Sequence, residues 1–160
     1  MSEIDLSTMR HSAAHVMAAA IQKLYPEAKF DIGPSTEDGF YYDVDLPKRL
    51  VPEDLKEIEK VMKKMLGQRL PFIRKEVSRE EAKALFEAKG QTFKLSRLED
   101  IPEGETVSLY YTGDDYVDLQ RGVLALMHSV HRTYGLVCFL NLSLLSQLKN
   151  LFYGHRCSCF

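Results

Sequence analysis

Arg10-His11-Ser12-Ala13-Ala14-His15-Val16-Met17-Ala18-Ala19-Ala20 is the stretch on which the reading of this chain turns. It reads strongly as helix, and it sets two imidazoles four residues apart, so that His11 and His15 project from the same side. On a helical wheel Met9, Val16, Met17, Ile21 and Leu24 gather with Ala13 and Ala20 as the apolar side. The histidines fall roughly opposite. Their neighbours there are Ala14, Ala18 and Gln22, small or polar groups that leave room for a ligand or water above the rings. The plain alternative is a solvated pair of surface histidines. A bare His-x-x-x-His is a weak metal signal, because zinc takes three or four ligands and the glutamate of the metalloprotease motif is absent.

The helix is expected from about Ser7, a suitable cap, to Tyr25, with Pro26 closing the pattern. Lys29 to Pro34 and Phe40 to Leu46 read as two strands of a hairpin, with Asp38-Gly39 as the turn. Pro52 opens a second helix with its acids first and its lysines last, Leu55, Ile58, Met62, Met65 and Leu66 at helical spacing, and Gly67 as the stop. The methionine stripe is read as ordinary core. Leu70 to Val77 reads as a strand, and Ser78-Arg79-Glu80-Glu81 as a capping box for a helix ending near Gly90. Thr92 to Leu98 is read as a further strand carrying Lys94. After the Pro102-Glu103-Gly104 turn, Thr106 to Tyr111 and Tyr116 to Gln120 form an antiparallel pair around Thr112-Gly113-Asp114-Asp115. Antiparallel pairs interrupted by helices predict an α+β domain, an antiparallel sheet with packed helices.

The 160 residues suit one domain, or one with an appendage, and 45% hydrophobic with 28% charged residues is a soluble globular composition. A formal net charge of −2 argues against holding nucleic acid by bulk electrostatics, while leaving a local contact to an RNA end open. The N-terminus is acidic and has no apolar core, so no secretory signal is expected. Cys138, Cys157 and Cys159 are odd in number and confined to the last quarter, which does not suggest a disulfide framework. Leu136 to Phe152 is apolar but interrupted by Asn141, Gln147, Lys149 and Asn150, too mixed for a membrane span. A reduced, cytoplasmic protein is the expectation.

Five blocks, in order, resemble the editing domain of bacterial threonyl-tRNA synthetases, a module related to the editing domains of alanyl-tRNA synthetases. They are Arg10 to Val16; Ile32-Gly33-Pro34 with Glu37 to Asp43; Pro52 to Leu55; Val77 to Ala82; and Val117-Asp118-Leu119 followed by Arg121-Gly122. The likeness covers about residues 7–122. It implies hydrolysis of serine wrongly esterified to threonine tRNA. A pocket made for threonine cannot strongly exclude an amino acid smaller by one methyl group, which is worth only about 1–3 kcal/mol, so a second site removes the error. The resemblance carries the family's two helix histidines onto His11 and His15, its lysine onto Lys94 and its aspartate onto Asp118. It implies water positioning and substrate contact for the histidines, oxyanion stabilisation or water holding for Lys94, and orientation of the substrate amine or an imidazole for Asp118. Tyr42, Gln120 and Arg121 are the expected substrate contacts, and of Tyr41 and Tyr42 one is expected in the core.

The chain departs from the family pattern Asp-x-Cys-Arg-Gly-Pro-His, reading Asp118-Leu119-Gln120-Arg121-Gly122-Val123-Leu124. Gln120 stands for the cysteine and Leu124 for the histidine. In the alanyl relatives those two residues join the helix histidines in a zinc site, so no zinc or other cofactor is expected here. Beyond Gly122 the likeness stops, which suggests a shifted reading frame or an unrelated tail over residues 123–160. There Leu136 to Leu151 is expected as a helix packing on the domain or, in a homodimer, on a second copy. At this length the chain cannot hold an aminoacylation core, so it is expected as a fragment or a free-standing relative, beginning directly at the editing domain. The expected partner is the 3′ end of a mischarged tRNA, with no membrane association. The alternatives are a catalytically impaired module of the same fold that binds tRNA or protein, and a zinc hydrolase built on His128, His131, His155, Cys157 and Cys159.

Overall fold

The computed structural model describes residues 6–37, 39–113 and 115–120. The predicted C-terminal helix, the terminal histidines and cysteines, Arg121, Leu124 and the turn residues Asp38 and Asp114 lie outside the described residues. The elements run α1 (Leu6–Leu24), β1 (Lys29–Phe30), β2 (Val44–Asp45), α2 (Pro52–Gln68), β3 (Phe72–Val77), α3 (Arg79–Ala88), α4 (Thr92–Glu99), β4 (Val107–Thr112) and β5 (Tyr116–Leu119). The architecture is α+β, as expected: β1 and β2 pair antiparallel, and β3, β4 and β5 form an antiparallel sheet in that order.

The first helix is not two-sided. From Met9 to Ile21 only Arg10 and His11 escape full burial, so α1 is a central helix, packed against α2, β4 and β5 and sharing a core cluster with hairpin residues. Alanine makes this possible, because its short side chain lets neighbouring backbone approach from every direction. The expectation that the histidines lie away from the core is therefore corrected for His15, while His11 stays partly exposed. His15 is 1% exposed, and Ala14 and Ala18, read as room for a ligand, are fully packed. Ser12 is buried as well, its hydroxyl donating to the Thr8 carbonyl one turn back at 2.7 Å.

The hairpin is longer than its strands. Asp31 N–H donates to Asp43 O and Asp43 N–H to Ile32 O, each at 2.9 Å, and Ser35 bridges Phe40, so the predicted pairing continues toward the turn. In α2 the helix runs through Gly67, and Arg69 adopts the left-handed cap with φ 53°. Gly67 is thus not the stop. The capping box of α3 forms as read, with Ser78 Oγ accepting from Glu81 N–H at 3.2 Å and Glu81 Oε2 accepting from Ser78 N–H at 2.9 Å.

Thr92–Leu98, read as a strand, is the helix α4. Phe93 and Leu95 imitate the alternation of a strand, but the buried residues are Gln91, Lys94 and Leu98, at helical spacing. Two apolar clusters result. One gathers α1, α2, the hairpin and Tyr116. The other gathers α3, α4 and the sheet residues Val107, Leu109 and Val117. Side chains alternate along β5, so Tyr116 and Asp118 share one face while Val117 and Leu119 join the second cluster. Asp118 thereby stands at the seam. Among the described residues no helix is long and apolar enough to cross a membrane.

Candidate active site

Asp118, buried on β5, is the group around which the others assemble. Its Oδ1 pairs with the Lys94 ammonium and accepts the Leu119 N–H at 2.7 Å. Its Oδ2 accepts from the Tyr42 hydroxyl at 2.5 Å and the Tyr116 hydroxyl at 3.2 Å, and lies 3.6 Å from His15 Nε2. Burial pushes this carboxyl up, but the Lys94 and His15 charges and the hydrogen bonds from Lys94 and Tyr42 outweigh it and hold it below the usual carboxylate range. It is therefore an anion at neutral pH.

Lys94 reaches the seam from α4 and is 3% exposed. Besides Asp118, its ammonium meets the Asp31 carbonyl at 2.5 Å and the Tyr42 hydroxyl at 3.3 Å. An ammonium has three protons, and three oxygens are in place for them. To stabilise an oxyanion, Lys94 must exchange one of these partners, and the Tyr42 contact is the longest hydrogen bond.

His15 Nε2 lies 3.2 Å from His11 Nε2, with the rings edge to face at a centroid distance of 4.8 Å. One imidazole gives the proton of that hydrogen bond and the other receives it. Burial is the main cause that lowers His15 from 6.5 to about 4, with the His11 and Lys94 charges adding to it and the Asp118 charge and the neighbouring Gln120 amide opposing. At pH 7 its ring is neutral. Its Nδ1 and the Gln120 Oε1 are buried, and neither has a hydrogen-bond partner among the described residues. Gln120 thus lies beside His15 without a well-formed bond to it.

Tyr42 and Tyr116 hold the assembly from the hairpin and the sheet, their hydroxyls 2.6 Å apart. Burial, then the Asp118 charge, pushes both phenols well above their ordinary value, so they act as donors. Phe30 meets both rings edge to face, at 5.8 Å from Tyr42 and 5.3 Å from Tyr116. Gly33 lies against the Tyr42 ring: a Cβ there would stand 2.2 Å from Cδ2. This explains on packing grounds why a glycine precedes Pro34.

His11, His15, Lys94 and Asp118, proposed from sequence, are brought together with Tyr42 and Gln120. Of Tyr41 and Tyr42, the buried one is Tyr42. Tyr116 and Asp31 were missed. The first reads as a strand aromatic, and the second contributes a carbonyl, which side-chain chemistry cannot advertise. A recess of about 420 Å³ opens beside Lys94 and Gln120, with Asp31, Arg74, Arg97 and Ser108 also on its wall. Among the described residues no three His, Cys, Asp or Glu side chains are grouped to hold a metal ion.

No protein-family model matches the chain. Individual proteins do. Over 122 residues, 76% of this chain, it is 56% identical to threonine–tRNA ligase 1 of Bacillus subtilis and 53% identical to threonine–tRNA ligase of Bacillus velezensis. Threonine–tRNA ligase of Clostridioides difficile is 51% identical over 113 residues, 71% of this chain. The chain spans about a fifth of the length of these curated relatives, 19% of the first two and 18% of the third.

Proposed function

Because this chain is homologous to a segment of the threonine–tRNA ligases, we propose that it is an editing module that hydrolyses the ester of serine on threonine tRNA. The observation that carries this reading is the convergence of His11, His15, Lys94 and Asp118, from three separate elements, with Lys94 also on the wall of a recess of about 420 Å³. The recess takes the aminoacyl end of the tRNA. Water attacks the ester carbonyl carbon, the carbonyl oxygen becomes an oxyanion, and collapse expels the ribose hydroxyl, releasing serine.

His15, held at about 4, is a poor base in the ground state. It orients the water with His11, and Asp118 at 3.6 Å stabilises the imidazolium as the proton transfers. The proton then passes to the leaving ribose oxygen. Lys94 turns from Tyr42 toward the oxyanion, keeping Asp118 and Asp31 as anchors. Gln120, between His15 and the recess, contacts the substrate. The site lies within a translation enzyme's module, so its setting is the cytoplasm.

The engagement of every Lys94 proton favours a second reading, a module that binds the tRNA end without hydrolysis. One assay separates them. Full chain is mixed with seryl-tRNA(Thr), and serine release and tRNA binding are measured for wild type, His15→Ala and Lys94→Met. Release that both substitutions abolish supports editing. Binding without release from the wild type overturns it in favour of the binding module.

A further inference from the structure

Three residues of α4 spaced three apart, Gln91 at its N-cap, Lys94 and Arg97, lie along one face and grip one stretch of chain at β1. The Gln91 amide accepts from Phe30 N–H at 3.0 Å and donates to Ala28 O at 2.8 Å. Lys94 donates to the Asp31 carbonyl at 2.5 Å. Arg97 takes the Asp31 carboxylate with a two-pronged grip, Nε to Oδ1 at 2.7 Å and a terminal nitrogen to Oδ2 at 2.9 Å. One residue is thus held at both of its oxygen-bearing ends by one helix.

Resting on the reading of Lys94 as part of the hydrolytic site, we propose that Arg97 is a positioning residue for Lys94: by clamping the Asp31 side chain it fixes the Asp31 carbonyl that holds the Lys94 ammonium. The geometry sets this pair apart from an ordinary surface ion pair. Arg97 is 45% exposed, but the Asp31 side chain is only 13% exposed and the grip is bidentate, which fixes direction as well as distance. An exposed pair of the common kind contributes little energy. The value of this one lies in where it places a carbonyl. Without the clamp, Asp31 keeps its backbone bond to Asp43 but loses the two-pronged grip on its carboxylate. Lys94 is then left with Asp118 and Tyr42 and is drawn toward the carboxylate, away from the recess.

The test uses the full chain and two readouts. The first is the nitrogen-15 resonance of the Lys94 ammonium and its hydrogen exchange with water; the second is kcat and KM for serine release from seryl-tRNA(Thr). A buried ammonium with three acceptors exchanges slowly and gives a resolved signal. In Arg97→Ala exchange quickens and kcat falls, each by about 10-fold, while KM stays within about 2-fold, as expected for a displaced group rather than a lost contact. Arg97→Lys falls between, keeping an ion pair without the fork. Asp31→Asn, which preserves shape and carbonyl, behaves like Arg97→Ala and replaces it should that variant not fold. An unchanged Lys94 signal and kcat in these variants overturn the proposal, as does a rise in KM alone, which makes Arg97 a substrate contact. A wild-type chain that releases no serine refutes the hydrolytic reading, and the Lys94 signal still decides whether Arg97 positions it.

Discussion

Removing the charge of Asp118 while keeping its shape, as Asp118→Asn does, leaves the buried Lys94 ammonium with neutral acceptors alone, the new amide, the Asp31 carbonyl and the Tyr42 hydroxyl, and no countercharge. Both side chains are almost fully enclosed, at 4% and 5% exposure, so solvent does not screen the loss. Breaking such a pair from one side costs about 3–5 kcal/mol, against a typical domain stability of about 5–15 kcal/mol. Lys94→Met leaves the carboxylate with its two tyrosine hydroxyls and the Leu119 N–H, and costs a similar amount. If the two changes were independent, the double variant would lose about 6–10 kcal/mol, enough to unfold the chain. The account expects otherwise. With both charges gone nothing is left stranded, and the double variant loses about 2 kcal/mol or less, as when a buried ion pair is replaced by uncharged groups. Urea unfolding of the full chain at pH 7, followed by circular dichroism with midpoint and slope fitted for each variant, measures all three. Single losses below about 1 kcal/mol, or a double variant equal to their sum, would refute the reasoning.

His15 binds a proton below about pH 6.5 in the unfolded chain and only below about 4 in the folded one. The stability it contributes is complete above pH 6.5 and drains away as pH falls toward 4, about 3 kcal/mol in all; His15→Gln flattens that part of a pH–stability curve, and a His15 imidazole, assigned by its loss in that variant, titrating near 6.5 by NMR contradicts the buried site. Gly33→Ala drives a methyl into the Tyr42 ring, which a Cβ meets at 2.2 and 2.4 Å, so the hydroxyl leaves Asp118 and Lys94. Thermal unfolding should show a loss of about 1–3 kcal/mol, with serine release falling further than Tyr42→Phe alone produces. Arg69→Gly relieves the left-handed cap at φ 53° and gains up to about 1 kcal/mol in the same urea measurement; a loss of stability would show that the Arg69 side chain contributes more than the strain it bears.

Much of this architecture is legible in the residues because local chemistry and tertiary role agree. Ser78 and Glu81 cap the helix their spacing announces, and α2 follows its stripe of Leu55, Ile58, Met62 and Leu66. Misreading begins where they diverge. Phe93 and Leu95 suggest alternation, yet Lys94 and Gln91 are buried polar residues whose helical placement is set by backbone partners about 60 positions earlier in the sequence, Asp31 and Phe30. Similarly, a wheel for the first helix assumes one wet face, whereas alanine permits packing on all sides, so His15 is enclosed. The helix histidines stand out by their spacing, whereas Lys94 and Asp118 are assigned through the resemblance, since nothing in His-x-x-x-His alone implies a carboxylate about a hundred residues later. Tyr116 and the Asp31 carbonyl act through position only and had no sequence signal.

The central claim is that these groups face a seryl ester. Its most direct test is a crystal structure of the chain with a hydrolysis-resistant seryl amide of 3′-aminoadenosine. The account predicts the seryl carbonyl within hydrogen-bond distance of Lys94 and the His11–His15 pair, with the Lys94 to Tyr42 contact opened. An analogue bound elsewhere, or one that leaves all three Lys94 partners in place, would contradict it.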